Sequence, residues 1–252
     1  MDPELSPTLE SLIRRLPKVE LHLHLEGSVQ PETLRQLARS KGRLQEETEN
    51  WILRQAERKF RYQSFGDFLQ AFKLVAMLLD TPEDYALATR HLIEQLAAER
   101  VRYAEITLSA GVILWKKQSV RDIFEAILTA AGEAQTQTSV RVRWIFDAIR
   151  HFGVDHAREV LGWARMFRDD GVVAFGIGGD EVKGPASLFR DVYSEAKDLG
   201  LRRTAHAGET GGPESVCQAI EALGAERIGH GLRAAEDENA IALLRQRRIP
   251  LE

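Results

Sequence analysis

The chain of 252 residues is 44% hydrophobic and 29% charged, the balance of an ordinary globular protein, and its net charge of −4 lacks the basic excess on which electrostatic nucleic-acid binding rests. It contains no run of about 18 apolar residues, which argues against a helical membrane span, and the start, Met1-Asp2-Pro3-Glu4-Leu5, lacks the regions of a secretory signal. The one cysteine, Cys217, excludes an internal disulfide and reads as a small packing residue of a cytoplasmic protein.

In chain order, residues 19–24 (Val-Glu-Leu-His-Leu-His) alternate with period 2, as a strand does. Residues 31–100 form a longer stretch of helical segments, with an aromatic-rich part from Phe60 to Leu79 that reads as a helix core face or a cover over a pocket. Within it, Thr81-Pro82-Glu83-Asp84 offers an N-cap, a proline at the first helical position and an early carboxylate. Strands follow at 101–109 and 140–149, separated by a helix that opens at Ser119-Val120-Arg121-Asp122 with capping-box spacing. Further strands fall at 172–178, 201–206 and 227–229, and Ile249-Pro250-Leu251-Glu252 reads as the start of another. Between them Pro185–Leu199, Pro213–Leu223 and Glu236–Arg247 read as helices. Strands alternating with helices, with no repeat or linker, predict one α/β domain over 1–252 with a parallel sheet and helical crossovers.

Four of these predicted strands carry or end in residues that can do chemistry. His22 and His24 stand at i and i+2 of the first strand and therefore share a face with Glu20 and Glu26, opposite Leu21, Leu23 and Leu25. Two imidazoles on one face can meet one metal ion, but an edge strand with a solvated polar face gives the same pattern. His206-Ala207-Gly208-Glu209 places a histidine on the fifth strand and a carboxylate in the loop above it; a glycine turn with a solvated Glu is the plainer reading. Gly229-His230-Gly231 clears side chains from around one imidazole, as an incidental flexible turn also would. Gly176-Ile177-Gly178-Gly179-Asp180-Glu181 ends the fourth strand without matching a nucleotide fingerprint. Together they gather at the C-terminal strand ends, where a parallel barrel keeps its functional groups, and the set reads as metal-assisted hydrolysis.

Taken in order, Leu16-Pro17-Lys18-Val19-Glu20-Leu21-His22-Leu23-His24-Leu25-Glu26-Gly27, Gly179-Asp180-Glu181, His206-Ala207-Gly208-Glu209 and Gly229-His230-Gly231 resemble the motifs of the adenosine deaminase family of metal-dependent amidohydrolases. The resemblance runs from about residue 16 to the last residue. It implies a TIM-type (β/α)8 barrel with a helical insertion after strand 1, holding one Zn²⁺ through His22, His24 and His206. It implies that Glu209 protonates a purine ring nitrogen and that His230 orients the attacking water and accepts its proton. Gly179 would meet the purine through its backbone, with Glu26 and His24 also facing substrate. Arg150-His151 resembles a family pair near the pocket. The implied reaction turns a 6-aminopurine nucleoside such as adenosine into its 6-oxo product and ammonia.

The sequence departs from the family pattern in two places. Position 26 is Glu, where the family usually carries an Asp that helps hold the ribose. This suits 6-amino-6-deoxyfutalosine, a nucleoside with an extended 5′ group, as an alternative substrate. Gly229 stands where relatives acting on free adenine have Asp, which disfavours an adenine-only pocket. The Asp-Asp pair of the last family strands, one member a zinc ligand, is absent, so the barrel is expected to be incomplete and the sequence to be part of a longer polypeptide. The rival readings are a catalytically silent purine-binding domain and an amidohydrolase cutting a cyclic amide or phosphoester. The latter often needs a strand-end lysine that bridges two metals, and none is placed for it.

Overall fold

The structure is a computed structural model, and it describes residues 7–42, 49–50, 52 and 65–252. The part of the aromatic-rich segment from Phe60 to Ser64 lies outside these residues. Among the described residues, six strands stand in the sheet order β1-β2-β3-β4-β5-β6: β1 (Lys18–His24), β2 (Val101–Leu108), β3 (Arg141–Ile149), β4 (Val172–Gly178), β5 (Arg202–Ala207) and β6 (Arg227–His230). Strands in chain order with helical crossovers are the succession of a TIM-type (β/α) barrel, here an incomplete one, since the full fold has about eight strands. No described helix is long and apolar enough to cross a membrane.

The chain divides into two compact units, Met1–Ala104 with Arg121–Val142, and Glu105–Val120 with Arg143–Glu252. In the first, α1 (Pro7–Arg15) leads into β1, followed by α2 (Pro31–Ser40), α3 (Phe65–Leu78) and α4 (Pro82–Ala98), with α6 (Val120–Gln137) beyond. The predicted cap of α4 is present: the Thr81 hydroxyl accepts from the Asp84 amide at 3.4 Å, and the Asp84 carboxylate accepts from the amides of Thr81 (2.8 Å) and Asp80 (2.9 Å). Lys41 adds an ion pair to Asp84 at 2.6 Å. Burial works to raise the Asp84 pKa, and these bonds outweigh it, so the carboxyl lies below its ordinary value. The leucine face of β1 is only half-buried at Leu21 and Leu23, whereas Leu25 is fully buried. β1 stands at the end of the strand order, so alternation marks the strand correctly while overstating how far its apolar face is covered.

In the second unit α5 (Ala110–Trp115), α7 (Val154–Met166), α8 (Arg190–Asp198), α9 (Pro213–Glu221) and α10 (Glu238–Arg247) accompany β3 to β6. Parallel pairing is in register from Ile145↔Ala174 to Ile149↔Gly178, and from Thr204↔Arg227 to Ala207↔His230. That register fixes the site, because the ends of β3 and β4 come level, as do His206 and Gly229. Three helices are shorter than the sequence predicts. Residues 186–189 form a tight turn closed by the Leu188 amide on the Pro185 carbonyl (3.1 Å), and α8 begins only after Phe189 leaves helical geometry at φ −102°, ψ 9°. α10 starts at Glu238, where the Asp237 side chain caps the Asn239 amide at 2.9 Å. α9 ends at Glu221. The last fragment makes a single bridge, Leu251 beside Ile228.

Candidate active site

On β1, His22 and His24 are half-buried with ring centroids 5.5 Å apart. The Phe72 ring from α3 meets His24 edge-on at 6.2 Å, so the aromatic helix packs against the end of this strand. Glu26 lies in the short turn Glu26–Ser28 and is 1% exposed. The buried Tyr85 of α4 has its phenol pKa raised by burial and then by Glu26 and two aspartates, which makes Tyr85 a neighbour of Glu26 that the sequence did not signal.

In the second unit His206 sits near the end of β5 with its ring against the backbone of Gly178; a Cβ on that glycine would lie 3.4 Å from Nδ1. The Nδ1 atom is 3.2 Å from the Ile177 carbonyl, an acceptor that calls for the ring proton on Nδ1. The His230 ring lies 5.3 Å from the His206 ring, and its Nε2 is 3.5 Å from Oε1 of Glu209. His230 has φ +69°, a left-handed conformation that costs a non-glycine residue on the order of 1–2 kcal/mol. Such strain is characteristic of side chains held for chemistry. Burial raises the Glu209 pKa, with the charge of Glu181 adding to it, to about 7. Burial depresses the His230 pKa, with Glu181 opposing. The ordinary order of the two is therefore inverted: Glu209 holds its proton to about 7, while His230 is pushed below its ordinary value.

Two buried charges frame the loop that carries Glu209. The Glu181 carboxylate accepts the amides of Gly208, Glu209, Thr210 and Gly211 at 2.8, 3.0, 2.8 and 3.1 Å, and the hydroxyls of Thr210 and Ser215. Burial would raise its pKa, but the bonds from Ser215 and the loop amides win and hold it low. Arg150, 1% exposed, donates to the carbonyls of Gly184 (2.9 Å) and His206 (2.6 Å). Glu181 belongs to the Gly179-Asp180-Glu181 motif, but nothing in that motif itself signals this role. The signal was downstream: Gly208-Glu209-Thr210-Gly211 offers a run of amides that needs an acceptor. Asp147, buried on β3, is the other unforeseen member. Its carboxylate oxygens lie 2.7 and 2.9 Å from where Cβ atoms on Gly176 and Gly178 would sit, which explains both glycines. Gly179 has φ +92°, and a Cβ there would press on the His151 ring at 3.1 Å.

Among the described residues, one group of metal-capable side chains stands out: His22, His24 and His206 each offer a ligand atom, all within 4.8 Å of one another. By donor type, three imidazoles suit a divalent ion such as zinc, bound at roughly 2.1 Å. His206 lies beside the Glu209–His230 pair, and an imidazole ligand next to an acid and a base is the equipment of a metal-dependent hydrolase.

Comparison with known proteins agrees. The adenosine deaminase family profile matches residues 17–252. The chain is 36% identical over 253 residues to an aminodeoxyfutalosine deaminase of Streptomyces avermitilis, covering 100% of this chain and 70% of that protein. It is 34% identical over 238 residues to an adenosine deaminase of Clostridium perfringens, covering 94% of this chain and 72% of the relative. A solved amidohydrolase of Burkhoderia ambifaria with bound Zn superposes with a TM-score of 0.87 at 28% identity, over 99% of this chain and 68% of that one. The chain belongs to the adenosine deaminase family and is a hydrolase of the deaminase type.

Proposed function

We propose that the protein hydrolyses the amino group from a 6-aminopurine nucleoside such as adenosine, releasing ammonia and leaving the 6-oxo product. The observation that carries this reading is the Glu209–His230 pair, 3.5 Å apart beside His206, with the Glu209 pKa near 7. Glu209, neutral below that pH, donates a proton to the ring nitrogen next to the amino-bearing carbon, which makes the carbon electrophilic. His230 takes the proton of the water that adds there and passes it to the departing amine. The backbone of Gly179 and the side chains of Glu26 and His24 orient the purine nucleoside. His22, His24 and His206 fit one Zn²⁺ by donor type and spacing. When bound, such an ion acidifies a water and polarises it for attack.

A second substrate, 6-amino-6-deoxyfutalosine, is favoured by the 36% identity over the whole chain to an aminodeoxyfutalosine deaminase, and by Glu in place of Asp at position 26. Following the adenine absorbance band with each compound, on protein of measured zinc content, tests the proposal. Loss of the band with either compound is expected, and the larger kcat/KM identifies the substrate. No turnover of either by zinc-loaded protein would overturn the catalytic reading in favour of a silent purine-binding domain.

A further inference from the structure

Glu181 makes no contact that would consume or supply a proton in the proposed reaction, yet it is among the most densely hydrogen-bonded side chains of its unit. A buried carboxylate is costly unless its lone pairs are filled, and this one is filled by four successive amides and two hydroxyls. The amides belong to the loop between β5 and α9, and one is the amide of Glu209 itself. Ser215, in the first turn of α9, extends the same grip to the helix start. Arg150 completes the arrangement from the opposite polarity, taking the carbonyls of His206 and Gly184 on the near side of the loop. One buried anion therefore gathers the donors of the segment, and one buried cation takes two acceptors beside it. Charge-assisted bonds of this kind are short and roughly twice as strong as neutral ones.

We propose that Glu181 is the positioning residue of Glu209: it holds residues 208–211 as a rigid cradle that keeps the Glu209 carboxyl facing His230, without touching substrate. This rests on the proposed role of Glu209 as the proton donor. Because Glu181 also carries a negative charge toward Glu209, its neutralisation has a signature that loss of a merely structural bond would lack.

The test compares the parent with Glu181→Gln and Ser215→Ala, all zinc-loaded. For Glu181→Gln, kcat is expected to fall by about ten- to a hundredfold with KM within about threefold and zinc retained. The basic limb of its pH–rate profile should move to lower pH. Independently of activity, amide hydrogen exchange in a peptide spanning 207–212 should quicken by roughly tenfold while β3 and β4 peptides stay as in the parent. Ser215→Ala, which keeps the four amides and the charge, should show a smaller change in exchange and an unmoved basic limb; it decides the matter if Glu181→Gln does not fold. Unchanged exchange at 207–212, a rise in KM at constant kcat, or loss of zinc along with activity would each overturn the proposal. A parent that turns over no aminopurine would sink the reaction instead, and the exchange result would then decide the role of Glu181 alone.

Discussion

Glu209 carries the sharpest consequence at the scale of one residue. Its pKa of about 7 exceeds the ordinary glutamate value of 4.5 because burial disfavours the charged form and Glu181 adds a like charge. A donor must be protonated, so turnover is expected to fall as pH rises through about 7, read as the basic limb of kcat against pH. The same shift burdens the fold. The unfolded chain ionises this carboxyl from about pH 4.5, whereas the folded chain holds its proton to about 7, so the cost grows across that window and is constant above it. Glu209→Gln removes the cost and the proton together. It should lose about 10²–10⁴-fold in kcat while keeping its metal. It should also be more stable than the parent at pH 8 by roughly 1–3 kcal/mol, a figure reduced from the full shift for partial solvent access, with the gap closing toward pH 4.5. Urea titrations at pH 8 and 5 read the second effect; equal gaps at both would show that the raised pKa is wrong.

At the scale of elements, the sequence was most legible where a local rule decides the structure. Val172–Gly178 is a strand with the bounds its β-branched run predicts, and the Thr81–Asp84 cap forms as its spacing requires. Thr81→Ala should therefore cost about 1 kcal/mol in chemical denaturation and leave kcat alone. Legibility failed where tertiary contacts decide. Pro185 promised a helix start, but Phe189, fully buried, sits at φ −102° and delays α8 until Arg190. Gly184 gave no signal at all, although its missing side chain is what admits Arg150. A Cβ there would overlap the Arg150 Cβ and lie 2.9 Å from its carbonyl carbon. Gly184→Ala is expected to cost about 1–3 kcal/mol by overpacking and to lower activity by displacing the clamp on the His206 carbonyl. A variant with parent-like stability and activity would show that Arg150 has room to give.

Across the whole chain, the succession of strands is legible because it obeys spacings visible in one dimension, and the histidines, Glu209 and Arg150 are marked by motifs that resemble a family, while the contacts of Glu181, Asp147 and Arg150 join partners 27 or more positions away. That division also determines what metal removal should do. A ligand that binds only the folded state stabilises it by mass action, by about 2.7 kcal/mol when its free concentration is a hundred times Kd. For a chain of this size that is roughly 5–11 °C in Tm. His22 and His24 lie about 180 positions from His206 in sequence, and unfolding separates them, so the unfolded chain cannot offer the same three donors. Chelation should therefore lower the Tm of the parent, and added Zn²⁺ should restore it. His22→Ala should sit at the chelated Tm, with no response to Zn²⁺ and no activity, whereas Glu209→Gln should respond as the parent does. This contrast separates donors from acid in one thermal experiment. A parent Tm indifferent to chelation and to zinc would refute the three-histidine site, and a Glu209→Gln variant that loses its zinc response would move Glu209 from proton donor to ligand.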